Sequence, residues 1–131
     1  MRLHASVPTL DEATELFERR RAVWLAEDVE GYLALWADDM TFQSPVHEEP
    51  LRGKAAYAEL IRNSLSIVRP VEFTIHHIAV DGDLVLAEWQ GEIEWRTDGR
   101  LSVWRGMSVC EIRGGLITTW REFWNPADFG L

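Results

Sequence analysis

Residues 84–96 read Leu84-Val85-Leu86-Ala87-Glu88-Trp89-Gln90-Gly91-Glu92-Ile93-Glu94-Trp95-Arg96, and their alternation decides the fold class. Val85, Ala87, Trp89, Gly91, Ile93 and Trp95 share one face of an extended chain; Glu88, Gln90, Glu92 and Glu94 share the other. A period of two held over so long a run marks a strand with one face on a core and one in water. Gly91 in mid-strand marks a bend, or a place where another group approaches the backbone.

Similar runs flank this one. Residues 71–80 end at Asp81-Gly82, 84–96 at Thr97-Asp98-Gly99, 101–112 at Arg113-Gly114-Gly115, and 116–125 before Pro126. Regular turn signals of this kind predict an antiparallel meander of four long strands. The strand contents do not match one another, so the spacing is not an internal repeat. In the third long strand the inner set is Trp104, Gly106, Ser108 and Cys110.

The chain upstream is helical. Thr9 opens a capping box with Glu12 and predicts a helix to about Ala26. Its apolar stripe is Leu10, Ala13, Phe17, Val23 and Trp24, interrupted by arginines. Asp28 caps a second helix that carries Val29, Tyr32, Leu33 and Trp36 and ends at Asp38-Asp39. A short strand, Met40 to Ser44, precedes a loop over 45–53 and a third helix from about Lys54 to Leu65. The order α-α-β-α-β-β-β-β predicts an α+β fold, with three N-terminal helices in the concave face of a strongly curved, mostly antiparallel sheet. Residues 1–131 form one domain, long enough to bury roughly two-thirds of the unfolded surface.

Composition narrows the function classes. Seven tryptophans stand out, and each buries about 150–250 Å² when packed. The formal net charge is −9, and the one basic run is Arg19-Arg20-Arg21, so nucleic acid is not an expected partner. No stretch is long and apolar enough for a membrane span. Met1-Arg2-Leu3-His4 is not followed by an apolar stretch, so no signal peptide is expected. The single cysteine, Cys110, excludes an internal disulfide and fits a cytoplasmic protein. It is read as a small buried hydrophobe.

Glu122 sits between two indoles in Trp120-Arg121-Glu122-Phe123-Trp124. On a strand, Trp120, Glu122 and Trp124 face one way, and Arg121 and Phe123 the other. An acid on an indole-lined face loses hydration, its neutral form gains, and it becomes fit for proton transfer near neutral pH. No Arg opposes this on a simple strand reading: Arg121 points to the opposite face, and so does Arg105 relative to Ser108. The alternative reading of Glu122 is a structural carboxylate hydrogen-bonded to a neighbour. The expected ligand-binding set is Trp89, Trp104, Ser108, Trp120, Trp124, Ser44, Phe42 and Trp36. Strand neighbours face opposite ways, so strict alternation in His76-His77 places one imidazole inward, where it could pair with Glu122; the favoured reading is a surface or satisfied histidine. His47-Glu48-Glu49 lacks further metal-ligand spacing, and no cofactor fingerprint occurs, so neither metal nor cofactor is expected. Val103, Met107, Val109 and Phe123 form an apolar outer face that predicts a homodimer through the sheet.

The stretch Ala37-Asp38-Asp39-Met40-Thr41-Phe42-Gln43-Ser44-Pro45-Val46-His47-Glu48-Glu49-Pro50-Leu51-Arg52-Gly53 resembles its counterpart in ketosteroid isomerases. The stretch Gly115-Leu116-Ile117-Thr118-Thr119-Trp120-Arg121-Glu122-Phe123-Trp124 resembles the last strand of SnoaL-like polyketide cyclases and limonene epoxide hydrolases. All belong to the nuclear transport factor 2-like superfamily of cystatin-like cones, and the resemblance spans residues 10 to 129. It implies a cavity, a dimer through the sheet, and chemistry without a cofactor. The catalytic residues carry over incompletely. Ser44 stands where ketosteroid isomerases have a general-base Asp, Ser108 where they have an oxyanion Asp, and Arg20 or Arg21 near their oxyanion Tyr. Trp89 and Gly91 stand where limonene epoxide hydrolases have an Arg and an Asp. Glu122 alone matches an acidic position, as the last-strand Asp of the cyclases.

Two classes of function follow. One is a small enzyme acting on a hydrophobic ring- or carbonyl-bearing molecule by cyclisation, isomerisation, dehydration or hydration, with Glu122 moving the proton. The other is a non-catalytic ligand-binding or dimerisation module of the same fold.

Overall fold

The computed structural model describes residues 7–130, so the reading of Met1-Arg2-Leu3-His4 lies outside the described residues. Helix α1 spans Leu10–Leu25. The Thr9 hydroxyl accepts from the Glu12 N–H at 3.1 Å, and the Glu12 carboxylate accepts from the Thr9 N–H at 3.0 Å, a complete capping box. Asp28 caps α2 (Val29–Leu33), accepting from the Gly31 N–H at 3.0 Å.

The second helix is shorter than its apolar spacing predicts. Trp36 opens strand β1 (Trp36–Gln43), and the exposed Asp38 and Asp39 lie within that strand. Pairing of Trp36 with Ile117 across the sheet overrides the local helical pattern. The expected loop over 45–53 contains a two-residue strand, β2 (Leu51–Arg52), paired with Thr41 and Phe42. Helix α3 (Lys54–Ile67) is followed by β3 (Val68–Asp81), β4 (Leu84–Trp95), β5 (Leu101–Arg113) and β6 (Leu116–Trp124). A 3₁₀ turn, Pro126–Phe129, follows.

The six strands form one sheet in the order β2-β1-β6-β5-β4-β3. All neighbours run antiparallel except β1 and β6, which are parallel and place Phe42 opposite Trp120. Bulges between Pro70 and Glu72, between Ile75 and His77, and between Glu111 and Ile112 each break the register, bending the strands and strengthening their twist. Helix α1 packs on β3, and α3 packs on β1 and β3. The core between helices and sheet is strongly aromatic: Phe17, Trp36, Tyr57, Trp89 and Trp120 are all at most 1 % exposed.

The bulge after Ile75 corrects the alternation expected at the histidine pair. Ile75 lies opposite Trp89 and His77 opposite Glu88, so one residue is extra on β3 and strict alternation fails there. Both His76 and His77 are exposed, and His77 Nδ1 lies 2.7 Å from the Glu88 carboxylate on the outer face.

The alternation of β4 is seen in its burial: Val85, Ala87, Trp89, Gly91 and Ile93 face inward. Gly91 is required by a close approach. Its cross-strand partner is Trp104, whose six-membered ring occupies the place a Cβ would take. The neighbouring pair inverts the arrangement. Trp89 lies opposite Gly106, where a Cβ would come within 2.8 Å of the Trp89 ring and 2.7 Å of the Phe123 carbonyl oxygen.

Candidate functional site

The helical repeat of α1 puts Arg20 on the same face as Ala13, Leu16 and Phe17, and all four are buried. Its guanidinium is surrounded by aromatic faces, with Cζ 4.3 Å from the ring centroid of Trp120, 4.9 Å from Phe73 and 5.4 Å from Tyr32. These faces present negative quadrupole density to the cation. The Arg20 Nε, shielded from solvent, has no hydrogen-bond partner among the described residues. Arg21, the next residue, turns away to Glu72 at 2.6 Å and to the carbonyl of Phe73.

Strand alternation on β6 brings Glu122 to the same cavity. Its two oxygens are divided between its flanking indoles. Trp120 Nε1–H donates to Oε1 at 2.8 Å, and Trp124 Nε1–H donates to Oε2 at 2.7 Å. Trp120 therefore serves both charges, giving its N–H edge to the carboxylate and its ring face to the guanidinium. Arg20 and Glu122 line one cavity and are not in direct ion-pair contact. The surface that Glu122 retains opens into cavities, while protein atoms enclose it on its other sides.

Burial raises the pKa of Glu122 above the ordinary carboxylate value. The Trp120 hydrogen bond, the Arg20 charge, the Trp124 hydrogen bond and His47 all oppose the shift without cancelling it. The expectation that no Arg acts on Glu122 is thus corrected: the opposing cation comes from α1, an element that strand alternation on the sheet says nothing about. For Arg20 itself burial favours the neutral form, but Tyr32, Tyr57 and Glu122 outweigh it and hold the guanidinium charged. The hydroxyls of Tyr32 and Tyr57 are 2.8 Å apart at the chamber wall. Burial, reinforced by Tyr32, pushes the Tyr57 phenol well above its ordinary value. Cys110, fully buried, is pushed up to about 12 by burial, which leaves it an inert thiol.

Glu122 borders three hollows. The inner chamber, about 150 Å³, is lined by Arg20, Tyr32, Tyr57, Phe73, Trp89 and Glu122 among others. A more apolar groove of about 300 Å³ runs outward past Trp24, Trp104, Trp124 and Phe129. A third recess, of about 450 Å³, is lined by Ser44, His47, Arg121, Glu122 and Trp124 among others. There the Ser44 hydroxyl and His47 Nδ1 are 2.7 Å apart. Among the described residues no cluster of three or more metal-ligating side chains occurs.

Of the residues expected to bind ligand, Phe42, Trp89 and Trp104 line the chamber, Trp104 and Trp124 line the groove, and Ser44 lines the recess. Trp36, Trp120 and Ser108 stand one layer behind. Trp36 packs against Tyr57 with ring centroids 4.6 Å apart and planes tilted by 58°, and Ser108 accepts from Trp89 Nε1–H at 3.2 Å, fixing that indole. Arg20, Tyr32, Tyr57, Phe73 and Trp24 were not expected there. The signal for Arg20 was its spacing: it lies three residues after Phe17 and four before Trp24, inside the apolar stripe.

A protein-family model described as the SnoaL-like domain matches residues 17–120. The chain belongs to the SnoaL-like domain family. A Bacillus subtilis relative named YesE, of uncharacterised function, is 29% identical over 125 residues, covering 88% of this chain and 83% of the relative. A Bacillus subtilis protein proposed to be an isomerase superposes with a TM-score of 0.81 at 27% identity, covering 90% of this chain and 89% of that one. An epoxide hydrolase of Mycobacterium tuberculosis, described as LEH-like, gives 0.78 at 26% identity, with 92% and 88% covered. SnoaL-like relatives thus include proteins assigned to different reactions on one fold, so for this SnoaL-like chain the chemistry must be argued from the site.

Proposed function

We propose that this protein is a cofactor-independent enzyme that binds a small hydrophobic, carbonyl-bearing molecule beside Glu122. Glu122 moves a proton, and Arg20 stabilises the negative charge that develops on the ligand. The observation that carries this reading is the pairing of a desolvated carboxylate with an aromatic-caged guanidinium, its Nε without an acceptor, across one chamber. Burial brings the acid toward neutral pH, and the cation is positioned before any reaction begins. Ser44, Ser108, Trp89 and Gly91 at the positions compared above argue against steroid isomerisation and limonene epoxide hydrolysis by those families' usual groups.

One observation favours the alternative of a non-catalytic binding module. Both oxygens of Glu122 already accept an indole N–H, as a structural carboxylate would. Glu122→Gln separates the two. Wild type and variant are titrated with cyclic ketones and enones, following tryptophan fluorescence and product formation. An enzyme keeps its binding and loses turnover in the variant, because an amide cannot carry the proton. A binding module shows similar affinity in both and turnover in neither. If no ligand alters the fluorescence of either protein, the chamber is not a ligand site and both readings fail.

We propose further that the protein is a homodimer through the outer sheet face. Leu101, Val103, Met107 and Phe123 are 61%, 40%, 46% and 54% exposed there, and Met107 lies directly opposite Phe123. Such a patch is stabilised by a partner.

A further inference from the structure

We propose that the inner chamber seats the carboxylate of a small aromatic or apolar acid on the guanidinium of Arg20. The proposal rests on the reading that a small molecule occupies the space beside Glu122, and names its chemical class.

A guanidinium needs its charge balanced and its N–H donors bonded. In this chamber the two needs are met unequally. The ring faces of Trp120, Phe73 and Tyr32 and the nearby carboxylate of Glu122 offset the charge. Tyr32 gives the guanidinium a side-chain hydrogen bond, while Nε is left without an acceptor and shut off from water. Nε itself has no surface that a ligand could touch, so a ligand acceptor would bond the part of the guanidinium that borders the chamber. A carboxylate matches the planar fork with two oxygens and adds its own charge. The rest of the wall, Phe42, Leu60, Ile61, Phe73 and Trp89, suits an apolar body.

Charge balance then assigns Glu122 a second part. Empty, the chamber holds one cation and one anion. A ligand carboxylate brings a second anion into the same low-dielectric space, where two carboxylates repel strongly. Protonation of Glu122 restores neutrality, and burial already favours that form. The titratable or charged groups around Glu122 are Arg20 from α1, Tyr32 from α2, Tyr57 from α3, His47 from the segment after β1, and Arg121 of β6, which lines the outer recess with it. The ligand therefore binds as an anion together with one proton, and its affinity falls as pH rises through the titration of Glu122.

Benzoate and acetophenone, nearly equal in shape and different in charge, test this by calorimetry and tryptophan fluorescence. The expected result is that wild type binds benzoate at least about tenfold more tightly than acetophenone, the effect of one charge-assisted hydrogen bond. Proton uptake, measured in buffers of different ionisation enthalpy, accompanies benzoate and not acetophenone. Arg20→Met should weaken benzoate by about 10- to 100-fold and spare acetophenone. Arg20→Lys, which keeps the charge and loses the fork, should fall between. Glu122→Gln should abolish the proton uptake while retaining benzoate, which separates Glu122 from His47 as the titrating group. Acetophenone binding more tightly than benzoate to wild type would overturn the proposal while leaving the ligand-site reading intact. Failure of both probes would remove the two together. If Arg20→Met does not fold, the affinity ratio and proton uptake of wild type still decide.

Discussion

Trp120→Phe isolates the indole that joins the two charges. The substitution keeps an aromatic ring at a fully buried position and removes the N–H donated to Glu122 Oε1 at 2.8 Å. It also shrinks the ring face 4.3 Å from the Arg20 guanidinium. Loss of a hydrogen bond to an ionised carboxylate costs about 1.5–3 kcal/mol. The smaller ring leaves a gap worth about 1–2 kcal/mol more. Only the first cost depends on charge. The folded-state pKa of Glu122 lies above its unfolded value, so the wild type is most stable where the carboxyl is neutral and loses stability as pH rises from the unfolded to the folded value. Trp120 is the largest influence opposing that rise, so Trp120→Phe moves the pKa further up and deepens the loss. The variant should be about 1–2 kcal/mol less stable than wild type at acid pH. Above the titration the deficit should grow to about 2.5–5 kcal/mol, or roughly 10–20 °C in Tm. Urea denaturation across a pH series, with the Glu122 carboxyl followed by carbon NMR, measures both quantities. A deficit independent of pH, or a Glu122 pKa that falls in the variant, would refute the assignment of Trp120 as the donor that holds the carboxylate.

Three other outcomes follow from the same geometry. Phe123→Glu places a charge on the exposed cross-strand pair with Met107 and should convert the dimer to a monomer of about half the mass, read by light scattering; a wild type that is monomeric at high concentration removes the dimer proposal. Wild type should not isomerise a β,γ-unsaturated steroid ketone, and measurable turnover abolished by Ser44→Ala would contradict this; the same recess, with Ser44 against His47, makes Ser44→Asp the variant to test for gained activity. Cys110, with its pKa pushed up to about 12 and no exposure, should resist a thiol reagent at mildly alkaline pH in the native protein and react at once in denaturant.

The parts of the fold legible in the sequence were those governed by local periodicity. The alternation of Val85 to Trp95 and the Thr9–Glu12 box needed no distant partner to be recognised, and both stand in the structure. Trp36, and the strict alternation expected at His76–His77, failed for one reason: pairing across the sheet decided them. A contact with Ile117 drew Trp36 into a strand, and the bulge before His77 turned both imidazoles to solvent. At the site, Glu122 was legible because its two partners are its own neighbours on one strand face. Arg20 was harder to see. It lies in a run of three arginines, and only the turn of α1 separates the inward one from Arg21, which reaches Glu72.

The crossed glycine–tryptophan pairs of β4 and β5 give the cavity a size adjustment that is independent of its charges. At Gly106 an added methyl group meets a backbone carbonyl oxygen, which cannot yield, so that position is fixed by the sheet. At Gly91 the nearest atoms all belong to the outer end of the Trp104 indole, which can swing. Trp104 borders both the inner chamber and the outer groove. A single methyl group at position 91, on the inward face of β4, would therefore displace that one ring where the two spaces meet. Arg20 and Glu122 would stay where they are. A descendant of this chain could in that way change the length of molecule it admits, one carbon at a time, without disturbing the groups that recognise its polar end.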